Sequence, residues 1–142
     1  MTRTEWLHPP ALRKGARIAV VAPSGPVPVE RFERGLLRLS TRYRPEMAPG
    51  ILEQRGFLAG SDGRRLAELR WALSDPSIDG VICARGGYGA LRYLPALAAI
   101  RDEDLRAAPL IGFSDVTVLH ALFSERKRVC IHGPVVTQLG EL

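Results

Sequence analysis

The alternation of short apolar runs with amphipathic helical runs constrains this chain more than any other feature. RIAVVAP (Arg17 to Pro23), IDGVICA, PLIGF and RVCIHGP read as buried strands. Phe32, Leu36 and Leu39 recur at i, i+4 and i+7, one face of a helix. A second helix carries Leu66, Leu69 and Leu73, with Asp62 expected as its cap, and ends at SDPS. A short helix is expected from about Ala90 to Leu94, and a further one with Val116, Leu119 and Phe123 inward. YRPEMAPG, with its two prolines, is at best an edge strand. This order implies βαβ units: an α/β domain built on a mostly parallel sheet with helices on both faces. VVTQLGEL follows the last strand with no covering helix, so that edge is expected to be left open, as if a downstream segment were missing.

Bulk properties narrow the class of function. The 142 residues make one domain, long enough to bury a core. No apolar run reaches the roughly 18–20 residues that span a bilayer. MTRTEWLHPPALRKG lacks the apolar stretch of a secretory signal, so a cytoplasmic location is expected. The net charge of +5 raises nucleic acid as a partner, but the arginines are spread along the chain and interleaved with acids, as in ERFERG and RDEDLR. A solvated arginine-rich surface accounts for them better than a binding stripe. Cys83 and Cys130 each sit inside an apolar run and read as small buried thiols without a disulfide. No CxxC pair and no histidine cluster at ligand spacing supports a metal.

In a parallel α/β sheet, ligands sit at the carboxyl ends of the strands. APSGPV, ARGGYGA and GFSDVT fall there if the strands are neighbours, and IHGP joins them. Ser114 lies at a strand-to-helix junction, where it is either an N-cap or a nucleophile raised above the sheet edge. As a nucleophile it would have the Asp115 N–H as oxyanion donor, and Gly112 would relieve the turn. The G-x-S-x-G pattern is only half met, because Val116 and Thr117 follow. Arg85 to Gly89, RGGYG, is either a tight turn or a nest of N–H groups for an anion. It has neither the P-loop Lys-Ser/Thr nor dinucleotide spacing. Arg85 and Ser24 are the candidate substrate contacts. No base is evident: His8 is in an expected unstructured leader, His120 faces the core, and His132 closes the last strand as a turn residue or a base.

RIAVVAPSGPV, FLAGSDGRRLAELRWALSDPSIDGVICARGGYGALRYLP, LIGFSDVTVLHALF and IHGPVVTQLG together resemble the N-terminal domain of the LD-carboxypeptidase family. Murein tetrapeptide carboxypeptidases and microcin C immunity proteins belong to it. The resemblance runs from Leu12 to the end of the chain and keeps order and spacing. It implies a flavodoxin-like or class I amidotransferase-like domain, residues 1–142, with Ser114 as nucleophile. It also implies an oxyanion hole from Asp115 with Gly86 or Gly87. The implied reaction is serine-type hydrolysis of the L,D-peptide bond before terminal D-alanine in cytoplasmic muropeptides during peptidoglycan recycling, with no cofactor or metal. The family's catalytic Glu and His lie in a C-terminal domain beyond this sequence, which implies half an active site and argues against His132. Two alternatives stand beside this one. One is an immunity-type hydrolase of peptidyl-nucleotide antibiotics. The other is a non-catalytic anion-binding or assembly module that pairs, as a homodimer, through its open edge. Tyr43 to Gly50 is short for the family, so an irregular second strand is expected.

Overall fold

The computed structural model describes residues 3–142. Its centre is a five-stranded, fully parallel sheet in the order β2-β1-β3-β4-β5. The strands are β1 (Arg17–Val21), β2 (Arg44–Met47), β3 (Gly80–Cys83), β4 (Leu110–Gly112) and β5 (Ile131–His132). The helices are α1 (Val29–Ser40), α2 (Asp62–Ser74), α3 (Ala90–Ala98), α4 (Thr117–Glu125) and α5 (Val136–Leu139). This is the doubly wound, flavodoxin-like order, in which the chain reverses direction across the sheet between β1 and β3.

Two apolar clusters explain the strand composition. Ala19, Val21, Val81 and Cys83 point to the face covered by α2, α3 and α4, through Leu69, Leu73, Tyr93, Leu97, Leu119 and Phe123. Ile18, Val20, Ile82 and Ala84 point to the other face, under Phe32 and Leu39 of α1 and Val136 of α5. Both sides of β1 and β3 are therefore dry, which is why their sequences are continuously apolar.

Several local expectations change. Ser61, not Asp62, caps α2, its hydroxyl accepting the Arg64 N–H at 3.1 Å. The side chain one residue earlier has the extended backbone a cap requires. α3 runs on to Ala98 through Pro95, which lies on the exposed face of the helix. β2 is a regular edge strand despite its proline, in register Arg17 to Arg44 with β1. The leader is not unstructured over its described part. Leu7 donates to the Lys127 carbonyl and accepts from the Val129 N–H. After β5 the chain returns over the sheet and α5 docks on α1, so a short covering helix is present where none was expected.

Asp102 ties the leader to the far end of α4. Arg3 and Arg128 both reach its carboxylate at 2.5 Å, and Arg128 also donates to the Arg106, Asp102 and Leu105 carbonyls. Burial works to raise the Asp102 pKa, but the hydrogen bonds from Arg128 and Arg3 outweigh it and hold the carboxyl below its ordinary 3.8. A carboxyl depressed in the folded state stabilises the fold above its unfolded pKa and loses that contribution as pH falls through the folded one. Asp102→Asn is expected to lower the melting temperature at neutral pH by about 5 °C. It should also flatten the acid limb of a melt-versus-pH series below about pH 4; an unchanged limb would exclude this ion pair as its source.

Candidate functional site

The loops after β1, β3 and β4 converge at the carboxyl edge of the sheet, around the β1/β3 reversal. The Gly25 N–H donates to the Gly86 carbonyl at 3.0 Å, joining the first two loops. A Cβ built on Gly86 would lie 2.7 Å from Ser114 Cβ and 2.9 Å from Ser114 Oγ. The glycine backbone and the serine side chain are therefore in direct contact, and glycine is the residue that permits it.

Ser114 has φ +67°, in the left-handed region. One other non-glycine residue among those described shares it, Lys127 at φ +52°. Lys127 terminates α4: its N–H reaches the Ser124 carbonyl and that of Arg128 reaches Phe123, the ordinary helix-stop pattern. Ser114 ends no helix. It opens the 3-10 turn Ser114–Val116 that leads into α4, and Phe113 holds the N-cap position without a side-chain bond. Its side chain is exposed rather than folded back as a cap. Holding a serine in this region costs about 1–3 kcal/mol, a strain found where a side chain must be presented at a sharp turn. The N–H groups behind it open a helix and have no intrahelical acceptor.

The residues expected to serve the site separate into groups. Ser114 meets Gly86, and the Asp115 carboxylate accepts the Ala90 N–H at the end of the same glycine loop. Gly87, at φ +119°, packs on Gly25, where a Cβ would come within 3.0 Å of the Gly25 backbone. Among the described residues, the N–H groups of Gly86 and Gly87 have no acceptor in the protein. Arg85 turns toward the first loop and donates to the Pro26 carbonyl at 2.6 Å. Ser24 is fully buried in that loop, and its hydroxyl has no partner among the described residues. Tyr88 and Phe57 form a tilted, largely exposed aromatic pair on the rim, ring centroids 5.7 Å apart.

The histidines form a neighbouring cluster. His132 is the register partner of Gly112, two residues before Ser114, and is exposed at the edge. Its ring stands 6.1 Å from Phe113 and 6.4 Å from His120. His120 is half-buried, and burial, with the nearby His132, lowers its pKa against the opposing Leu110 carbonyl. Both thiols are free: Cys83 is fully buried, and burial raises its pKa and pushes that of Cys130 up to about 11. Neither is a nucleophile at neutral pH.

Sequence reasoning missed the buried charges beneath the loops. Arg65 is fully buried, and Glu68 nearly so. Glu68 accepts the Ala22 N–H at 3.0 Å and pairs with Arg64, which donates to the Ala59 and Ala22 carbonyls. Burial raises the Glu68 pKa against the pull of Arg64. The signal was available, since Arg65, Leu69 and Leu73 fall at i, i+4 and i+8 on one face.

Fold and site together define a flavodoxin-like α/β domain whose ligand edge presents a strained, exposed serine against a glycine-rich loop. The chain belongs to the LD-carboxypeptidase family: the family's N-terminal domain matches residues 18–133. A Streptomyces coelicolor protein that bears the name putative carboxypeptidase is 46% identical over 140 residues, covering 92% of this chain and 44% of that protein. The murein tetrapeptide carboxypeptidase of Pseudomonas aeruginosa is 38% identical over 125 residues, covering 87% and 41%. The structure of the microcin C7 self-immunity protein superposes with a TM-score of 0.85 at 22% identity, over 96% of this chain and 42% of that one, a likeness of fold. The chain thus spans less than half the length of these relatives.

Proposed function

We propose that this chain is the nucleophile-bearing part of a serine-type LD-carboxypeptidase that releases terminal D-alanine from cytoplasmic muropeptides during peptidoglycan recycling. Ser114 Oγ attacks the carbonyl of the L,D-peptide bond. The tetrahedral oxyanion is held by the N–H groups of Asp115 and Gly87, with Gly86 alongside. Collapse expels D-alanine as the amine, which takes up the proton from the base, and water then hydrolyses the acyl-serine. The Glu and His that move these protons are assigned to the part of the family's length beyond this chain. Arg85 serves the substrate side by way of the loop it braces through the Pro26 carbonyl, whereas Ser24, expected as a substrate contact, is fully buried and lies beneath that surface.

The observation that carries this reading is Ser114 itself: left-handed, exposed, and in contact with Gly86 at the carboxyl edge. The match to a family of carboxypeptidases supports the reaction class. The test compares the 142-residue chain with the same chain joined to the C-terminal part of the Pseudomonas relative. Each is given a tetrapeptide ending in D-alanine. The joined protein is expected to release D-alanine, and Ser114→Ala to lower kcat by at least about 10⁴-fold. Turnover that survives Ser114→Ala refutes the assignment. Release by the short chain alone, dependent on Ser114, would place a base within these residues and point to His132. A peptidyl sulfamoyl adenosine, tried in parallel, separates this reading from the immunity-type hydrolase that shares the fold.

A further inference from the structure

One peptide group at the edge of the site is gripped from both sides. The carbonyl of Gly89 accepts from Arg65 Nη1 at 2.9 Å. The N–H of Ala90, the other half of the same peptide plane, donates to Asp115 Oδ2 at 2.9 Å. Arg65 approaches from α2, whereas Asp115 immediately follows Ser114. We infer that Arg65 and the Asp115 carboxylate are positioning residues, two jaws on the Gly89–Ala90 peptide that fix the Gly86–Gly87 N–H groups relative to Ser114. This rests on the reading of those groups as oxyanion donors and adds to it what aims them.

Three observations support a dedicated clamp over ordinary packing. Arg65 is completely buried, and its guanidinium is placed by four neighbours: the Asp62 carboxylate, the Pro23 carbonyl at 3.4 Å, the Gly89 carbonyl, and the Tyr93 ring, 5.1 Å from its centre. Pro23 and Gly89 belong to the β1 and β3 loops, so one side chain spans the two walls of the crevice. Tyr93 braces the first wall again, its hydroxyl donating to the Pro23 carbonyl at 2.7 Å. Next, Gly89 has φ +124°, and a Cβ there would meet Arg65 Nη1 at 2.5 Å. The loop is therefore shaped around the guanidinium. Finally, the Asp115 carboxylate crosses from the serine turn to α3, leaving its own backbone N–H for the oxyanion. Any motion of the serine turn is thereby transmitted to the glycine loop. A lysine could not reproduce the forked contact of Arg65, whereas an asparagine at 115 keeps an acceptor oxygen.

The experiment uses the 142-residue chain without substrate. Asp115→Ala, Asp115→Asn and Arg65→Lys are compared by backbone-amide order parameters, amide exchange and thermal melts. In the parent, Gly86 and Gly87 are expected to be rigid, with order parameters near ~0.85, falling below ~0.6 in Asp115→Ala and Arg65→Lys. Exchange at Ala90 should quicken at least ~10-fold in Asp115→Ala, and Asp115→Asn should restore both readouts. In the joined protein, Asp115→Ala should lower kcat about 10-fold or more with KM little changed, the mark of misplaced donors rather than lost binding. Rigid Gly86 and Gly87 in Asp115→Ala would overturn the clamp, even with faster exchange at Ala90. Should Arg65→Lys not fold, the Asp115 pair decides alone. Because the order parameters involve no chemistry, they can fail while the Ser114→Ala result stands, and the reverse.

Discussion

Alanine at Gly86 is expected to reduce D-alanine release by the joined protein about 100-fold while leaving the melting temperature of the 142-residue chain within about 3 °C of the parent. The added Cβ would stand 2.7 Å from Ser114 Cβ and 3.3 Å from the Phe113 carbonyl oxygen, so one of the two loops must yield. Ser114 is the side that can move, because it is exposed and already strained, whereas Gly86 is buried and bonded to Gly25. Displacing the hydroxyl by about 1 Å is enough for a loss of this size. The core beneath is untouched, hence the small effect on stability. Steady-state kinetics beside a thermal melt make the check. Full turnover in Gly86→Ala would mean that the reacting carbonyl does not lie between Ser114 and this loop. A large fall in melting temperature would make the contact structural instead.

The second large effect falls on stability, and its sign runs against helix propensity. Gly35 is in the middle of α1, where alanine would ordinarily be better by about 1 kcal/mol. Here the new Cβ would meet the Val136 carbonyl oxygen at 2.0 Å, and Gly140 is just as tight against the Arg31 carbonyl at 2.3 Å. α1 and α5 thus touch backbone to backbone, and a backbone carbonyl cannot rotate away as a side chain would. Gly35→Ala is expected to push α5 off and expose Val136, now fully buried, at about 2 kcal/mol. With the overpacking strain and the propensity gain of opposite sign, the net loss is about 2–3 kcal/mol, or about 7 °C in the melting temperature. The Thr137 N–H donates to the Ala84 carbonyl at the root of the glycine loop, so undocking would also loosen the site from behind. A Gly35→Ala chain as stable as its parent would show that α5 does not hold to α1 in solution.

The sequence by itself determined the parallel α/β architecture, the helix faces and the convergence of the site loops. These follow from local quantities: the period of apolar residues, the lengths of the runs, and the rule that a doubly wound sheet binds at its carboxyl edge. That the loops bearing Ser114, Asp115, Gly86 and Gly87 follow strands was legible for the same reason. Their roles as nucleophile and oxyanion donors came only from the family resemblance, the residues alone leaving a helix cap and a tight turn equally open. What only the tertiary structure decided depends on partners far apart in the chain. Ser61 rather than Asp62 caps α2 because the approach of the chain sets which residue is extended. Pro95 stands on the exposed face of α3, a placement that only the packed helix reveals. The C-terminal segment became a covering helix because Gly35 and Gly140 leave room for a backbone contact between α1 and α5. Arg65 looked like one surface charge among many, and became the fully buried link between two loops only once Pro23, Gly89 and Tyr93 surrounded it. A periodic pattern records which face a residue occupies. Whether a charge on that face finds enough carbonyls and carboxylates to offset its burial is set by the packed fold.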